Sequence, residues 1–156
     1  LWEIIVKTNN LFCQDTKDSG FFVTLWAALY DEKTKNLCYT SAGHYPAILK
    51  KANGEIMELK TEGIALSVKE LTEVKTNYVK LEKGDLLYLY TDGILDAVNE
   101  KDELYGKKRL MNYIEKTPNE TPVSHIKRHL LDEIKMYSKK TNQMDDITLL
   151  VIKIES

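Results

Sequence analysis

The sequence predicts an α+β fold. Short β-branched and aromatic runs parted by turn residues extend from Phe21 to Tyr90, helical periodicity takes over after Asp92-Gly93, and a last β-branched run, Ile147 to Ile154, follows the helices.

Trp2, Ile5, Val6 and Leu11 fall near helical spacing, and Asn9, Asn10 and the polar run Gln14 to Gly20 close that segment, so a short helix is expected over residues 2 to 13. From Phe21 to Tyr30 the residues are aromatic, β-branched or small and apolar without alternation. That is the pattern of a strand buried on both faces, with Asp31 to Asn36 as its polar turn. Leu37 to Ser41, Ala47 to Leu49 and Ile56 to Leu59 continue as an antiparallel meander, with Asn53-Gly54 suited to a tight hairpin turn. Asn77 to Leu81 and Leu86 to Tyr90 are parted by Glu82-Lys83-Gly84-Asp85, whose glycine permits the positive φ of a turn. Leu104, Leu110, Met111 and Ile114 then mark a helix that Thr117-Pro118 interrupts. Thr121 suits an N-cap and Pro122 a first helical position, and Val123, Ile126, Leu130, Ile134 and Tyr137 repeat at three or four residues, giving a helix with one face on a sheet.

Composition excludes several function classes. A chain of 156 residues fits one domain that buries a core of its own. The 43% apolar and 29% charged residues are the balance of a soluble globular domain, and no apolar run approaches the roughly 18 residues of a membrane span. No membrane insertion is therefore expected. Twenty-two basic against 24 acidic residues leave a net charge of -2, so no global basic field exists to hold nucleic acid. Cys13 and Cys38 sit singly in apolar surroundings and form no CxxC pair, the pattern of buried free thiols in a reducing, cytoplasmic compartment. Leu1, Ile4, Ile5 and Leu11 resemble the middle of an element rather than a signal peptide, so the chain is expected to be cut from a longer one.

Two acidic sites stand out by context: Asp92, just beyond the strand Leu86 to Tyr90, and Asp145-Asp146, before the last strand. A carboxylate at a strand end has a backbone rigid enough to fix it and a loop opening that leaves room for a hard divalent cation. Gly93 removes side-chain bulk beside Asp92. Taken alone, the spacing favours a plain turn at Asp92-Gly93 and a cap or solvated residue at Asp145. His125 and His129 lie four apart, a spacing that suits zinc, but Lys127 and Arg128 intervene and no glutamate follows His125, so a solvated helix face is the expectation.

Four strings in order change the balance: Phe22-Val23-Thr24-Leu25, Ser41-Ala42-Gly43-His44-Tyr45-Pro46, Lys83 to Gly93 (KGDLLYLYTDG), and Met144-Asp145-Asp146-Ile147-Thr148. With the polar loop Asn99 to Gly106, which ends in an aromatic and glycine, they resemble the SpoIIE-type (RsbU-like) branch of the PPM/PP2C phosphatases from about Phe21 onward. The resemblance implies a PP2C-like αββα sandwich of two antiparallel sheets flanked by helices, with a binuclear Mn²⁺ or Mg²⁺ centre. It implies that Asp92 and Asp145 are metal ligands and that Asp146 supports them from the adjacent position. Asp96 matches a weaker third metal site of some relatives, though a solvated helix face explains it equally well. Two such ions lower the pKa of a bridging water, which attacks phosphorus in line with the leaving serine oxygen. The histidine of Ala42 to Pro46 resembles a structural turn residue, so His44 is not taken as the acid. Ser67 stands where the family often has glycine.

The family's first metal motif, an aspartate followed by glycine that bridges both ions, has no counterpart here: Gly84-Asp85 is the turn before a strand, and Asp15 and Asp18 fall in a polar loop. Residues 1–156 are thus expected to form the C-terminal two thirds of a single PPM-type phosphatase domain. The implied activity is hydrolysis of phosphoserine or phosphothreonine on a phosphorylated regulatory protein, a STAS-type anti-anti-sigma factor, under control of an upstream sensor domain. Open sheet edges would allow a homodimer. The alternative is a catalytically incomplete domain that binds a phosphoprotein or other partner.

Overall fold

The computed structural model describes residues 1–17, 19–138 and 145–155. Asp18, at the polar loop, and Met144, of the last motif, lie outside them. The elements are α1 (Trp2–Asp15), β1 (Leu25–Asp31), β2 (Asn36–Ala42), β3 (Ala47–Lys50), β4 (Ile56–Leu59), β5 (Asn77–Lys80), β6 (Leu86–Tyr90), a 3-10 turn (Asp92–Ile94), α2 (Gly106–Lys116), α3 (Val123–Tyr137) and β7 (Leu149–Lys153). The α+β class expected from the sequence is the one observed, with antiparallel pairing throughout the registered strands. None of the described helices is long and apolar enough to cross a membrane.

The chain divides into two compact units, Leu1–Pro46 with Glu58–Leu81, and Ala47–Met57 with Glu82–Ser156. The first holds a three-stranded sheet ordered β1-β2-β5. Its small core joins Ile5, Ala42 and Leu66 to Phe12, Leu25 and Val74. Helix α1 leaves Trp2, Ile4 and Leu11 exposed and buries Ile5 and Asn9 instead. Asn9 is fully buried because its amide is spent on the loop: it donates to Lys69 O at 2.9 Å and accepts from Ser67 N at 3.0 Å. Ser67 has φ of 72°, in the left-handed region that disfavours side chains other than glycine's, so the departure from glycine at this position costs backbone strain.

Several expectations need correction. The run Phe21 to Tyr30 is not a strand buried on both faces: β1 begins at Leu25, and Phe21, Phe22 and Val23 are exposed. β1 is an edge strand paired with β2 alone, which leaves one side of it without a neighbour among the described residues. The expected meander is split, because β2 belongs to this sheet while β3 and β4 belong to the other. Leu104 precedes its helix and bridges Val98, and α3 begins at Val123 with Pro122 at the N-cap, so Thr121 supplies no side-chain cap. Both cysteines are free, as expected, but half-buried rather than buried.

The second unit carries the sheet ordered β4-β3-β6-β7. Ile48, Leu86, Tyr88 and Ile94 pack with the helical residues Ile114, Ile126 and Leu130, all fully buried. The periodic apolar face of α3 therefore drives its docking, each such side chain contributing about 1.5–3 kcal/mol on burial. Lys50, buried on β3, donates to the carbonyls of Ile114, Glu115 and Thr117 at 2.9, 3.0 and 2.6 Å and so caps the C-terminal end of α2. Asp85, fully buried, accepts from Lys51 Nζ at 2.6 Å and from the amides of Ala52 and Glu82 at 2.9 Å. It pins the β3–β4 turn to the start of β6, a larger role than the plain turn expected of it.

Tyr88 is fully buried, and its hydroxyl meets no hydrogen-bond partner among the described residues. Tyr88→Phe is expected to raise stability by about 1 kcal/mol, since an unsatisfied buried polar group is removed with little change of shape. Urea unfolding with an unchanged slope checks this.

Burial raises the pKa of Tyr88, burial and the Glu133 bond raise that of Tyr105, and burial raises that of Tyr113. Because the folded values exceed the unfolded value of about 10, this stabilisation is complete below about pH 10 and is lost as pH rises through the folded values. Unfolding midpoints should fall on that limb, and Tyr105→Phe should make the fall shallower.

Candidate metal centre

Strands β6 and β7 pair antiparallel from Leu86↔Lys153 to Tyr90↔Leu149, so the residue leaving β6 and the residue approaching β7 meet at one end of the sheet. There Thr91 acts as a latch. Its amide donates to Thr148 O at 3.2 Å, its hydroxyl donates to Asp146 O at 3.1 Å, and the Thr91 hydroxyl oxygen accepts from Thr148 N at 2.9 Å. The ladder thus continues past the last registered pair, onto the residues that flank both acidic sites.

Gly93 completes the junction. A Cβ built on it would lie 2.4 Å from Asp146 O, 2.9 Å from Asp146 C and 3.3 Å from Asp145 O, all backbone atoms. Only glycine lets the turn after β6 approach the Asp145-Asp146 backbone this closely. The bulk that Gly93 leaves out beside Asp92 is taken up by the main chain of Asp145 and Asp146.

Asp92 opens the 3-10 turn and is exposed, its carbonyl accepting from Asp96 N at 2.9 Å. Asp145 Oδ1 accepts from Asp146 N at 2.7 Å, which fixes the carboxylate against its own backbone. Both Asp145 and Asp146 are exposed, and Asp96 is half-buried. The structure therefore brings the turn bearing Asp92 and Asp96 against the segment bearing Asp145 and Asp146.

Oxygen donors on two rigid strand ends, open to solvent, fit a hard divalent cation, which is commonly held by one or two carboxylates with water and phosphate filling the remaining positions. Among the described residues no three His, Cys, Asp or Glu side chains are grouped to hold an ion. Asp92 and Asp145 thus supply one carboxylate each to this end of the sheet.

The other candidates fall elsewhere. His44 lies in the first unit, its Nδ1 3.0 Å from Thr24 Oγ1 and its carbonyl accepting from Ser41 Oγ at 3.0 Å, beside Gly43 at φ of 71°. It is a turn residue, as expected. His125 and His129 stack on the exposed face of α3 with ring centroids 6.2 Å apart. Sequence reasoning missed Thr91 as the latch. The pairing of two threonines, Thr91 and Thr148, at the ends of consecutive ladder strands was its only trace.

Known proteins resemble this chain along almost its whole length. The chain is 29% identical to Protein IcfG of Synechocystis sp. over 93% of its length, and 25% identical to phosphoserine phosphatase RsbU of Bacillus subtilis over 96%. It spans less than half of those relatives, 23% of the first and 44% of the second. Among solved structures, the SiaA-PP2C domain of Pseudomonas aeruginosa superposes with a TM-score of 0.83 at 21% identity, covering 97% of this chain and 59% of that one. The SpoIIE phosphatase domain of Bacillus subtilis, presoaked with Mn, gives 0.68 at 21% identity, covering 98% and 66%. The fold is that of PP2C phosphatase domains. The family model of Stage II sporulation protein E (SpoIIE) matches residues 1–155, and the chain belongs to that family.

Proposed function

We propose that this chain carries part of the catalytic centre of a divalent-metal-dependent protein phosphatase that removes phosphate from serine or threonine of a regulatory protein in bacterial signalling. The observation that carries this reading is the latched end of β6 and β7, where Thr91 and Gly93 hold the Asp92 turn against Asp145-Asp146. Family membership and the phosphoserine phosphatase among its relatives support it. Mn²⁺ or Mg²⁺, when bound as a pair, lowers the pKa of shared water and neutralises phosphoryl oxygens. The chain's own part is to hold that centre: Asp92 and Asp145 as ligands, Asp146 supporting through its amide bond to Asp145, and Asp96 as a weaker outer ligand. The substrate we assign is a phosphorylated STAS-type anti-anti-sigma protein in the cytoplasm. An upstream sensor domain controls the activity, with a homodimer as the assembled form.

The test is release of phosphate from a phosphoserine STAS-type protein by the native protein containing these residues, with Mn²⁺ and with chelator. Metal-dependent release is the expected result. A second reading, an incomplete domain that binds the phosphoprotein without hydrolysis, is favoured by the absence of a three-ligand group among the described residues. Tight binding of the phosphoprotein with no release at any Mn²⁺ concentration would establish it instead.

A further inference from the structure

The acidic turn after β6 is held from a second direction. Asp96 N donates to Asp92 O at 2.9 Å, and the residues that follow are gripped by a pair of backbone bonds: Tyr105 N donates to Ala97 O at 2.7 Å and Gly106 N to Leu95 O at 2.9 Å. Tyr105 thus stands at the root of the loop Asn99 to Gly106, directly against the segment that carries Asp92 and Asp96. Its side chain is almost fully buried, and its hydroxyl donates to Glu133 Oε1 of α3 at 2.7 Å.

A second set of contacts closes around the same residue. The Tyr137 ring meets Tyr105 edge-on at 5.5 Å, and its hydroxyl lies 3.0 and 3.2 Å from the carbonyl oxygens of Glu103 and Leu104. Arg109 donates to Leu104 O at 2.8 Å and Tyr105 O at 3.0 Å while its guanidinium covers the Tyr137 ring at 4.8 Å. Loop, α2 and α3 are therefore joined through Tyr105, and a buried hydroxyl spent on a charged acceptor makes a strong, directional link.

We propose that Tyr105, anchored by Glu133, is a positioning residue that fixes the Asp92–Asp96 turn for metal binding, so that α3 sets the geometry of ligands it does not touch. This rests on the assignment of Asp92 as a metal ligand. The distance from Tyr105 to the carboxylates is spanned by backbone, through Ala97 and Leu95, and a looser peg lets the turn sample positions that do not bind.

Calorimetric Mn²⁺ titration of the native protein, with thermal melting alongside, tests this on Tyr105→Phe, Glu133→Ala and Glu133→Gln. Tyr105→Phe and Glu133→Ala are expected to weaken Mn²⁺ binding by roughly threefold to thirtyfold. Glu133→Gln, which keeps an oxygen acceptor, should stay near wild type. The double variant Tyr105→Phe/Glu133→Ala should be no worse than either single one. Mn²⁺ binding by wild type that Tyr105→Phe leaves unchanged, whatever happens to the melting temperature, would overturn the positioning role alone. Failure of wild type to bind Mn²⁺ would overturn the metal assignment, and this role with it.

Discussion

Asp92→Asn is expected to lower Mn²⁺-dependent hydrolysis of p-nitrophenyl phosphate by about a hundredfold or more while leaving the fold intact. The magnitude follows from the ligand's place. Perturbing residues that merely support a metal ligand costs roughly 10–100-fold in affinity or activity, and loss of the ligand's charge costs at least as much. The fold is spared because Asp92 is exposed and its structural bond is made by the carbonyl, which asparagine keeps. Substitution at such a position moves stability by about 0.5 kcal/mol at most. The same variant should lose the rise in melting temperature that Mn²⁺ gives wild type. Equal activity in the two proteins would remove Asp92 from the chemistry, and no activity in either would leave the binding-module reading standing.

Gly93→Ala should be as damaging by a different route. The added Cβ meets the Asp146 carbonyl oxygen at 2.4 Å, and because the obstruction is backbone rather than a flexible tip, the turn and the approach to β7 must part. Overpacking of this kind costs about 1–3 kcal/mol. The separation also pulls the Asp92 turn away from Asp145, so Mn²⁺ half-saturation should rise together with the loss of stability. Urea unfolding and a metal titration on one preparation check both. Unchanged values in each would mean that the close approach at Gly93 does not hold the two acidic segments together.

Much of the frame around the acidic residues was legible because it is local. The Asp92-Gly93 pair follows an apolar strand and Asp145-Asp146 precedes one, and both strands form where the β-branched and aromatic residues place them. The α3 periodicity also survives intact, with Ile126, Leu130 and Ile134 as its buried face. Phe21 to Tyr30 failed for the opposite reason: an apolar run reports a liking for strand but not whether neighbours exist to cover it, and β1 lies at a sheet edge. Asp85 looked like a turn residue beside Gly84. Its burial depends on Lys51 and Ala52, more than thirty positions earlier, which no local pattern encodes.

By itself, then, the sequence determined the class of fold, the identity of the two acidic strand ends and the family's order of motifs, since each depends on residues within a few positions of one another. Tertiary structure alone decided which strands share a sheet, that Thr91 and Gly93 bind the two acidic segments together, and that Tyr105 reaches Glu133. The Tyr105 and Thr91 contacts join residues 28 to 57 positions apart, and their existence depends on how the chain closes on itself rather than on any pattern along it.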